Sequence, residues 1–555
     1  MRLVVVGGVA GGMSAAARAR RLDESAEIIV LERGPYVSFA NCGLPYFVGG
    51  EITDESALLI QTPASLAAQL NLDVRVRHDV VGLDAAAKTV TVSVGGETQT
   101  ISYDALVLSP GAAAIRPPLP GIDSPRVQTL RTVGDAVAMR EAVLDGATTA
   151  VVLGAGFIGI EAAEALALRG LATTLVELAP HVLPPLETEM ASMVSDELRR
   201  LGIDVREGVG ASEVVSGDAH DTVVLADGTR LAADIVVLSV GVRPDTKVFE
   251  AAGVTCERGA MVTDAHGRTN LPDVYAVGDA VVSTDAVTGA RRPVALAGPA
   301  NRAGRLVADA IFRPVSARPM PTAMGTAVVR IGDLTAAMTG ANRASLDAAG
   351  IEYHTLHLHP NNHAGYFPGA STIDLLVHFR AGDGLLLGAQ AVGPDGAEKR
   401  IDVLATAIRG GLGVADLMDL DLAYAPPYGA AKDPVNMAGM AGENLLNGTL
   451  KLWYADDLEA VMAERLVLDV RSPAEIASGH LPGSLQVAHT EVRDRLEDIR
   501  AAAVGRPVAV MCAAGVRSYL AHRILTQEGF DSSMLSGGMR TLKATLGTRA
   551  SAVLV

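Results

Sequence analysis

Residues 149–180 read TAVVLGAGFIGIEAAEALALRGLATTLVELAP. A short apolar run meets a glycine-rich turn, passes into an alanine-rich helical stretch and returns as a second apolar run ending at Glu177. Gly154, Gly156 and Gly159 stand at G-x-G-x-x-G spacing. That order suits a dinucleotide. Glycines let the backbone approach a pyrophosphate, the helix N-terminus faces it, and an acid ending the second strand binds a ribose diol. Glu177, 23 positions after Gly154, is that acid. Leu178, Ala179 and Pro180 follow it, so a 2′-phosphate meets no adjacent cation and NADH is favoured, with NADPH possible.

The N-terminal stretch RLVVVGGVAGGMSAAARARRL (2–22), followed by EIIVLERG (27–34), repeats the pattern. Gly7 and Gly12 bracket the turn, Val9 occupies its middle position, and Glu32 ends the second strand. Two copies in one chain identify two dinucleotide modules. YDALVLSPGA (103–112) and ADIVVLSVGVRPD (233–245) each read as a strand running into a glycine turn. TNLPDVYAVGDA (269–280) places Asp279 after another strand.

The chain has 555 residues, which implies about three or four domains. Apolar residues make up 49% and charged residues 20%, enough for large cores. No uncharged apolar run reaches transmembrane length, so no membrane association is expected. The first strand begins almost at Met1, which leaves no room for a signal peptide and points to the cytoplasm. A net charge of −17 argues against a nucleic-acid surface. Three cysteines exclude a disulfide scaffold and a cysteine-based zinc site.

The module order resembles the FAD-dependent pyridine nucleotide–disulfide oxidoreductases over roughly residues 1 to 445. By that resemblance Gly7, Gly12, Glu32, Arg33, Ser109, Gly111, Gly278 and Asp279 contact FAD, and the inserted second module holds the nicotinamide. Relatives with two thiols place them five residues apart. In SFANCGLPYFVGG (38–50) the position five after Cys42 is Phe47, so no internal disulfide forms. The resemblance then requires Cys42 to bond a substrate thiol, a persulfide sulfur or an oxygen. SFANCGLPY resembles the coenzyme A-disulfide reductase branch, which includes persulfide and polysulfide reductases. This implies that Ser14, Arg18, Arg21, Ser38 and Asn41 surround coenzyme A. Arg18, Arg20 and Arg21 form a basic cluster suited to phosphates. Peroxide- and oxygen-reducing relatives carry a histidine in the first glycine loop, where this chain has Val9-Ala10-Gly11. An NADH oxidase or peroxidase using a Cys42 sulfenic acid, and a redox-sensing sulfur-carrier protein, are the alternatives. Cys256 lacks such a context and reads as structural.

HLHPNNHAGYFPGA and DLAYAPPYGAAKDPVNMAGM lie in a third region, where the resemblance implies a homodimer interface. It implies that Tyr366 and Tyr424 act on the leaving thiolate and that Lys432 contacts substrate, with Tyr428 a neighbouring competitor. His354, His357, His359 and His363 invite a metal reading. No carboxylate is nearby in sequence, and no metal is expected. After residue 450 the character changes: LDVRSPAE, GHLPGS and CAAGVRS resemble a rhodanese domain. Cys512 opens a six-residue loop closed by Arg517; its inward N–H groups together with Arg517 are expected to lower the thiol pKa and stabilise a persulfide anion.

The expected fold class is α/β. It comprises two Rossmann-like dinucleotide-binding domains (FAD, 1–115 and 245–322; NAD(P)H, 116–244), an α+β dimerisation domain (323–449) and a C-terminal α/β rhodanese domain (453–555). The expected activity is NADH-dependent reduction of coenzyme A disulfide, coenzyme A persulfide or polysulfide, coupled to a sulfur-carrying domain.

Overall fold

A computed structural model describes all 555 residues. The chain divides into two compact units, Met1–Pro180 with Leu201–Gly325, and His181–Arg200 with Thr326–Val555.

The first unit holds both dinucleotide modules. In one, five parallel strands stand in the order Val274–Ala276, Ala105–Leu108, Arg2–Val6, Glu27–Glu32, Asp73–Val76. In the other, the order is Asp204–Glu207, Ala172–Glu177, Thr149–Leu153, Ile235–Leu238, Val127–Gln128, again all parallel. The inner strands are almost wholly apolar because helices and loops cover both faces of a parallel sheet, whereas the edge strands Asp73–Val76 and Asp204–Glu207 carry charged residues. Each module also carries a three-stranded antiparallel sheet, Asp79–Ser102 in the first and Ala211–Ala233 in the second. Both glycine turns fall at the C-terminal end of a central strand, the usual ligand-binding edge of such sheets. Helix Ala10–Leu22 packs against helix Ala297–Phe312. A Cβ at Gly304 would collide with the carbonyl of Gly11, so this approach needs glycine.

The second unit contains a five-stranded antiparallel sheet in the order Ala327–Ile331, Leu334–Gly340, Leu386–Gly393, Asp374–Arg380, Tyr353–Leu358. Helices Ala397–Gly410 and Pro434–Leu446 accompany it. Next comes a five-stranded parallel sheet, Leu452–Trp453, Ser532–Leu535, Val508–Met511, Leu466–Asp469, Leu485–Gln486. One buried apolar cluster runs from Val377 through Leu450 to Val510, so the two sheets share a core.

Helix Thr188–Arg200 lies in the sequence range expected for the nicotinamide module, yet it belongs to the second compact unit. Two acids just before and inside it explain why. Glu187 meets His378 Nε2 at 3.1 Å, and Glu189 binds Arg343 and His357. Burial opposes charge on Glu189, but the bonds from His357 and Arg343 hold its carboxyl well below the usual range. No helix is long and apolar enough to cross a membrane.

Candidate active site

The first glycine turn is shaped for a pyrophosphate. Gly7 has φ +95°, and a Cβ there would collide with the carbonyl of Ser109. Helix Ala10–Leu22 has no side-chain cap and no acid in its first turn. Its free N–H groups and positive end therefore remain available to an anion. Helix Phe157–Leu168 of the second module has the same uncapped, acid-free start, with Gly154 at φ +97°. The acids match as well. Glu32 accepts N–H bonds from Gly8 and Gly34, both at 2.7 Å. Glu177 accepts from Ala155 at 2.6 Å and Ala179 at 2.7 Å. These cradles fit two dinucleotides. Gly12, Ser109, Gly111, Gly278 and Asp279 line the end of the first module, and Gly156 and Gly159 belong to the second turn. Asp279 lies 3.5 Å from Arg131; burial raises its pKa while Arg131 opposes the shift. Arg33 pairs with Asp245 at 2.6 Å.

Cys42 is exposed in the 3₁₀ turn Asn41–Gly43, one turn before helix Leu44–Gly49 and not inside a helix. Pro45 favours a helix start at that point. The segment is tied to the first glycine turn by the Ser38 N–H bond to the Gly8 carbonyl, 2.8 Å, with Ser38 itself at φ +48°. The protein surrounding the sulfur pushes the Cys42 thiol pKa up, and the negative charge of Glu161 adds to the shift. Glu161 is also reached by the Tyr46 hydroxyl at 3.2 Å. Phe47, where a second thiol would stand, is buried with the Arg140 guanidinium 4.3 Å from its ring centroid.

The residues assigned to coenzyme A are differently placed. Ser14 donates to Asn301 Oδ1 at 2.6 Å, and Arg18 is paired with Asp309 at 2.7 Å. Arg21 and Asn41 are exposed. Arg20 does not belong to a solvated basic face. It is buried and spends its donors on the carbonyls of Leu70, Asp23, Glu24 and Asn71.

In the second unit the Tyr366 and Tyr424 hydroxyls lie 3.2 Å apart although 58 residues separate them. Both rings are exposed, and the bond to Tyr424 raises the Tyr366 pKa. Tyr428 is exposed nearby in sequence, and Lys432 is exposed just before helix Pro434–Leu446. The residue that joins these loops escaped sequence reasoning. Arg400 is 2% exposed and donates to the Asn362 carbonyl at 2.6 Å and to Asp433 Oδ2 at 2.9 Å. It thereby fastens the loop carrying Tyr366 to the one carrying Tyr424. A signal existed: Ala397, Arg400, Ile401 and Leu404 form one buried helical stripe, and a charge inside such a stripe needs a partner.

The histidines find the carboxylates missing from their sequence neighbourhood. His357 Nε2 lies 2.7 Å from Glu189 and His359 Nδ1 2.6 Å from Asp374.

Cys512 follows strand Val508–Met511 and is 1% exposed. Gly515 N–H donates to its sulfur at 3.1 Å, and the thiol donates to Ser518 Oγ at 3.3 Å. Arg517 makes a two-pronged pair with Glu475 at 2.7 and 2.5 Å while remaining close enough for a charge on Cys512 to act on it. Cys256 is half-buried beside the short strand Ala260–Met261.

The comparisons agree with this architecture. The pyridine nucleotide-disulphide oxidoreductase model matches residues 1–301, its dimerisation domain 326–434, and a rhodanese-like domain 453–545. Coenzyme A disulfide reductase of Staphylococcus haemolyticus is 35% identical over 80% of this chain and 100% of its own length. The crystal structure of reduced Bacillus anthracis CoADR-RHD superposes with TM-score 0.96 at 39% identity, covering 100% of this chain and 99% of that one. An NAD-dependent persulfide reductase from A. fulgidus gives TM-score 0.91 at 35% identity over 98% and 100% of the two chains. The chain belongs to the pyridine nucleotide-disulphide oxidoreductase family, an FAD- and NAD(P)H-using family, and carries that family's dimerisation domain and a C-terminal rhodanese domain.

Proposed function

We propose that this protein is an NADH-dependent flavoenzyme that reduces the sulfur–sulfur bond of coenzyme A disulfide, coenzyme A persulfide or a polysulfide at Cys42, and that its rhodanese domain carries sulfane sulfur on Cys512. One observation carries the reading. Cys42 is a single exposed thiol, and the place of a second thiol is taken by buried Phe47, so its bonding partner comes from the substrate and not from the chain.

FAD, when bound, supplies the two-electron link between nicotinamide and sulfur. Gly7, Gly12, Glu32, Arg33, Ser109, Gly111, Gly278 and Asp279 would hold it. Gly154, Gly156, Gly159 and Glu177 would hold the nicotinamide dinucleotide. The Glu177 carboxylate would repel a 2′-phosphate, which favours NADH. The Cys42 thiolate attacks one sulfur of the disulfide, a Cys42–coenzyme A disulfide forms, and the other coenzyme A leaves as thiolate. In a homodimer the Tyr366–Tyr424 pair donates a proton to that thiolate. Ser14, Arg18, Arg21, Ser38, Asn41 and Lys432 bind coenzyme A, with Arg18 shared between Asp309 and a phosphate. Three free cysteines suit a reducing cytoplasm.

The test is NADH consumption by the holoenzyme with coenzyme A disulfide, coenzyme A persulfide and polysulfide side by side, each against NADPH. Turnover that requires one of these and prefers NADH is expected. Equal consumption with oxygen or peroxide alone would make the protein an oxidase or peroxidase. No turnover with any acceptor would leave a sulfur-carrier role.

A further inference from the structure

Three arginines of the C-terminal domain, Arg517 of the Cys512 loop among them, are each paired with an acid. Arg517, the loop's own cation, is held by both oxygens of Glu475. The bond from Arg517 keeps the Glu475 carboxyl far below its ordinary range, so the pair stays charged and self-neutralising. Arg540 donates its backbone N–H to the Ala513 carbonyl at 3.0 Å, but its guanidinium grips both oxygens of Asp374 at 2.5 and 2.6 Å. Arg471 is buried on Asp469 at 2.7 Å. The remaining loop positions are Ala513, Ala514, Gly515 and Val516, and Val516 and Leu520 present an exposed apolar edge of the following helix. The sulfur therefore sits buried, and Arg517, Arg540 and Arg471 are each already paired with an acid.

Donors differ in how much charge they bring to such a site. With an organic persulfide, the Cys512 thiolate attacks the terminal sulfur of R–S–SH. The donor S–S bond breaks, R–S⁻ leaves, and Cys512–S–SH forms, with one negative charge throughout, or two when the donor is ionised as R–S–S⁻. With thiosulfate, the thiolate meets a dianion and three negative charges converge, ending as Cys512–S–S⁻ and sulfite. Backbone N–H groups suffice for one anionic charge, whereas a buried excess of charge needs a cation.

We propose that Cys512 takes sulfur from organic persulfides in preference to thiosulfate, and that Glu475 is the specificity-determining residue because it occupies Arg517. This rests on the reading of Cys512 as a sulfur carrier.

The test uses the full-length holoenzyme and two donors, the persulfide of 2-mercaptoethanol and thiosulfate. Single-sulfur loading of Cys512 is followed by mass spectrometry over time. Wild type is expected to load at least about tenfold faster from the persulfide, the discrimination expected from the charge difference. In Glu475→Gln, whose amide keeps the acceptor for Ser472, Arg517 is released and thiosulfate loading rises about tenfold while persulfide loading changes little. The double variant Glu475→Gln with Arg517→Gln removes both charges and is expected to return the donor ratio toward wild type. Circular dichroism and thermal unfolding verify that each variant is folded. Equal loading from both donors in wild type, or a Glu475→Gln variant that gains nothing with thiosulfate, overturns the specificity proposal. Loading from neither donor overturns the sulfur-carrier reading and this proposal with it.

Discussion

Cys42 stands exposed on a three-residue turn, whereas Cys512 is 1% exposed inside a loop whose Gly515 N–H reaches its sulfur. An exposed thiol can be approached by a bulky disulfide from outside. A buried thiol in a backbone cradle has room for a small terminal atom, and the N–H group suits charge on the atom added. Their acids also differ. Glu161 acts against charge on Cys42, whereas Glu475 acts on Arg517 beside Cys512.

Reciprocal substitutions break the comparison most sharply. Cys42→Ser is expected to cut reduction of coenzyme A disulfide to roughly 10⁻³ of wild type or less, with FAD retained, because no other thiol can replace the nucleophile. Cys512→Ala is expected to keep that reduction within about twofold, since Cys42 and the flavin supply that chemistry without it. It should lose sulfur transfer from persulfides to cyanide. Loss of both activities in either variant would mean that the two thiols form one relay.

The next effect is one of stability. Arg400→Met leaves Asp433 buried and uncompensated, which costs about 3–5 kcal/mol. Denaturant unfolding reads the loss, and kcat should fall with it because the loops bearing Tyr366 and Tyr424 then keep only lesser ties, such as the Ala364 N–H bond to the Gly429 carbonyl. Lower stability with unchanged kcat would confine Arg400 to folding. Tyr424→Phe touches the chemistry alone. It should lower kcat by about 10²-fold with a smaller change in KM, the usual scale of a lost general acid. Tyr428→Phe is the control, and a larger effect there would move the proton donor to that ring.

The two dinucleotide modules were legible in the sequence because each is written locally: strand, glycine turn, helix and acid lie within about 30 residues, the span of one such unit. The cysteine motifs were legible for the same reason. The partners that decide how the sites behave were not. Asp374 and Arg540 are 166 residues apart, and Glu189 and His357 are 168. No periodicity links such pairs, since tertiary packing alone joins them. The basic cluster shows the limit of composition. Arg18, Arg20 and Arg21 lie within four positions, yet one pairs with Asp309, one is buried against carbonyls and one is in solvent. Arg517 shows the same limit, because the motif supplies the cation but not Glu475, which holds it from 42 residues away.

The smallest expected effect tests the surroundings of Cys42 directly. Its thiol pKa is raised first by the protein packed around the sulfur, although the residue as a whole is exposed, and then by Glu161. Glu161→Gln removes a negative charge and keeps an acceptor for the Tyr46 hydroxyl. The thiolate then costs less to form, so the Cys42 pKa moves down. At a fixed pH below that pKa, alkylation by iodoacetamide should speed up in proportion to the thiolate fraction. The gain should stay under about tenfold, which corresponds to one pKa unit, because the larger cause, burial, is untouched. Cys256 gives the internal control, since Glu161 is not among the groups that shift its thiol and its alkylation rate should not change. Slower alkylation of Cys42 would reverse the sign assigned to Glu161 and make it an aid to the thiolate. An unchanged rate would mean that its charge is already offset, and burial alone would then separate this thiol from an ordinary one.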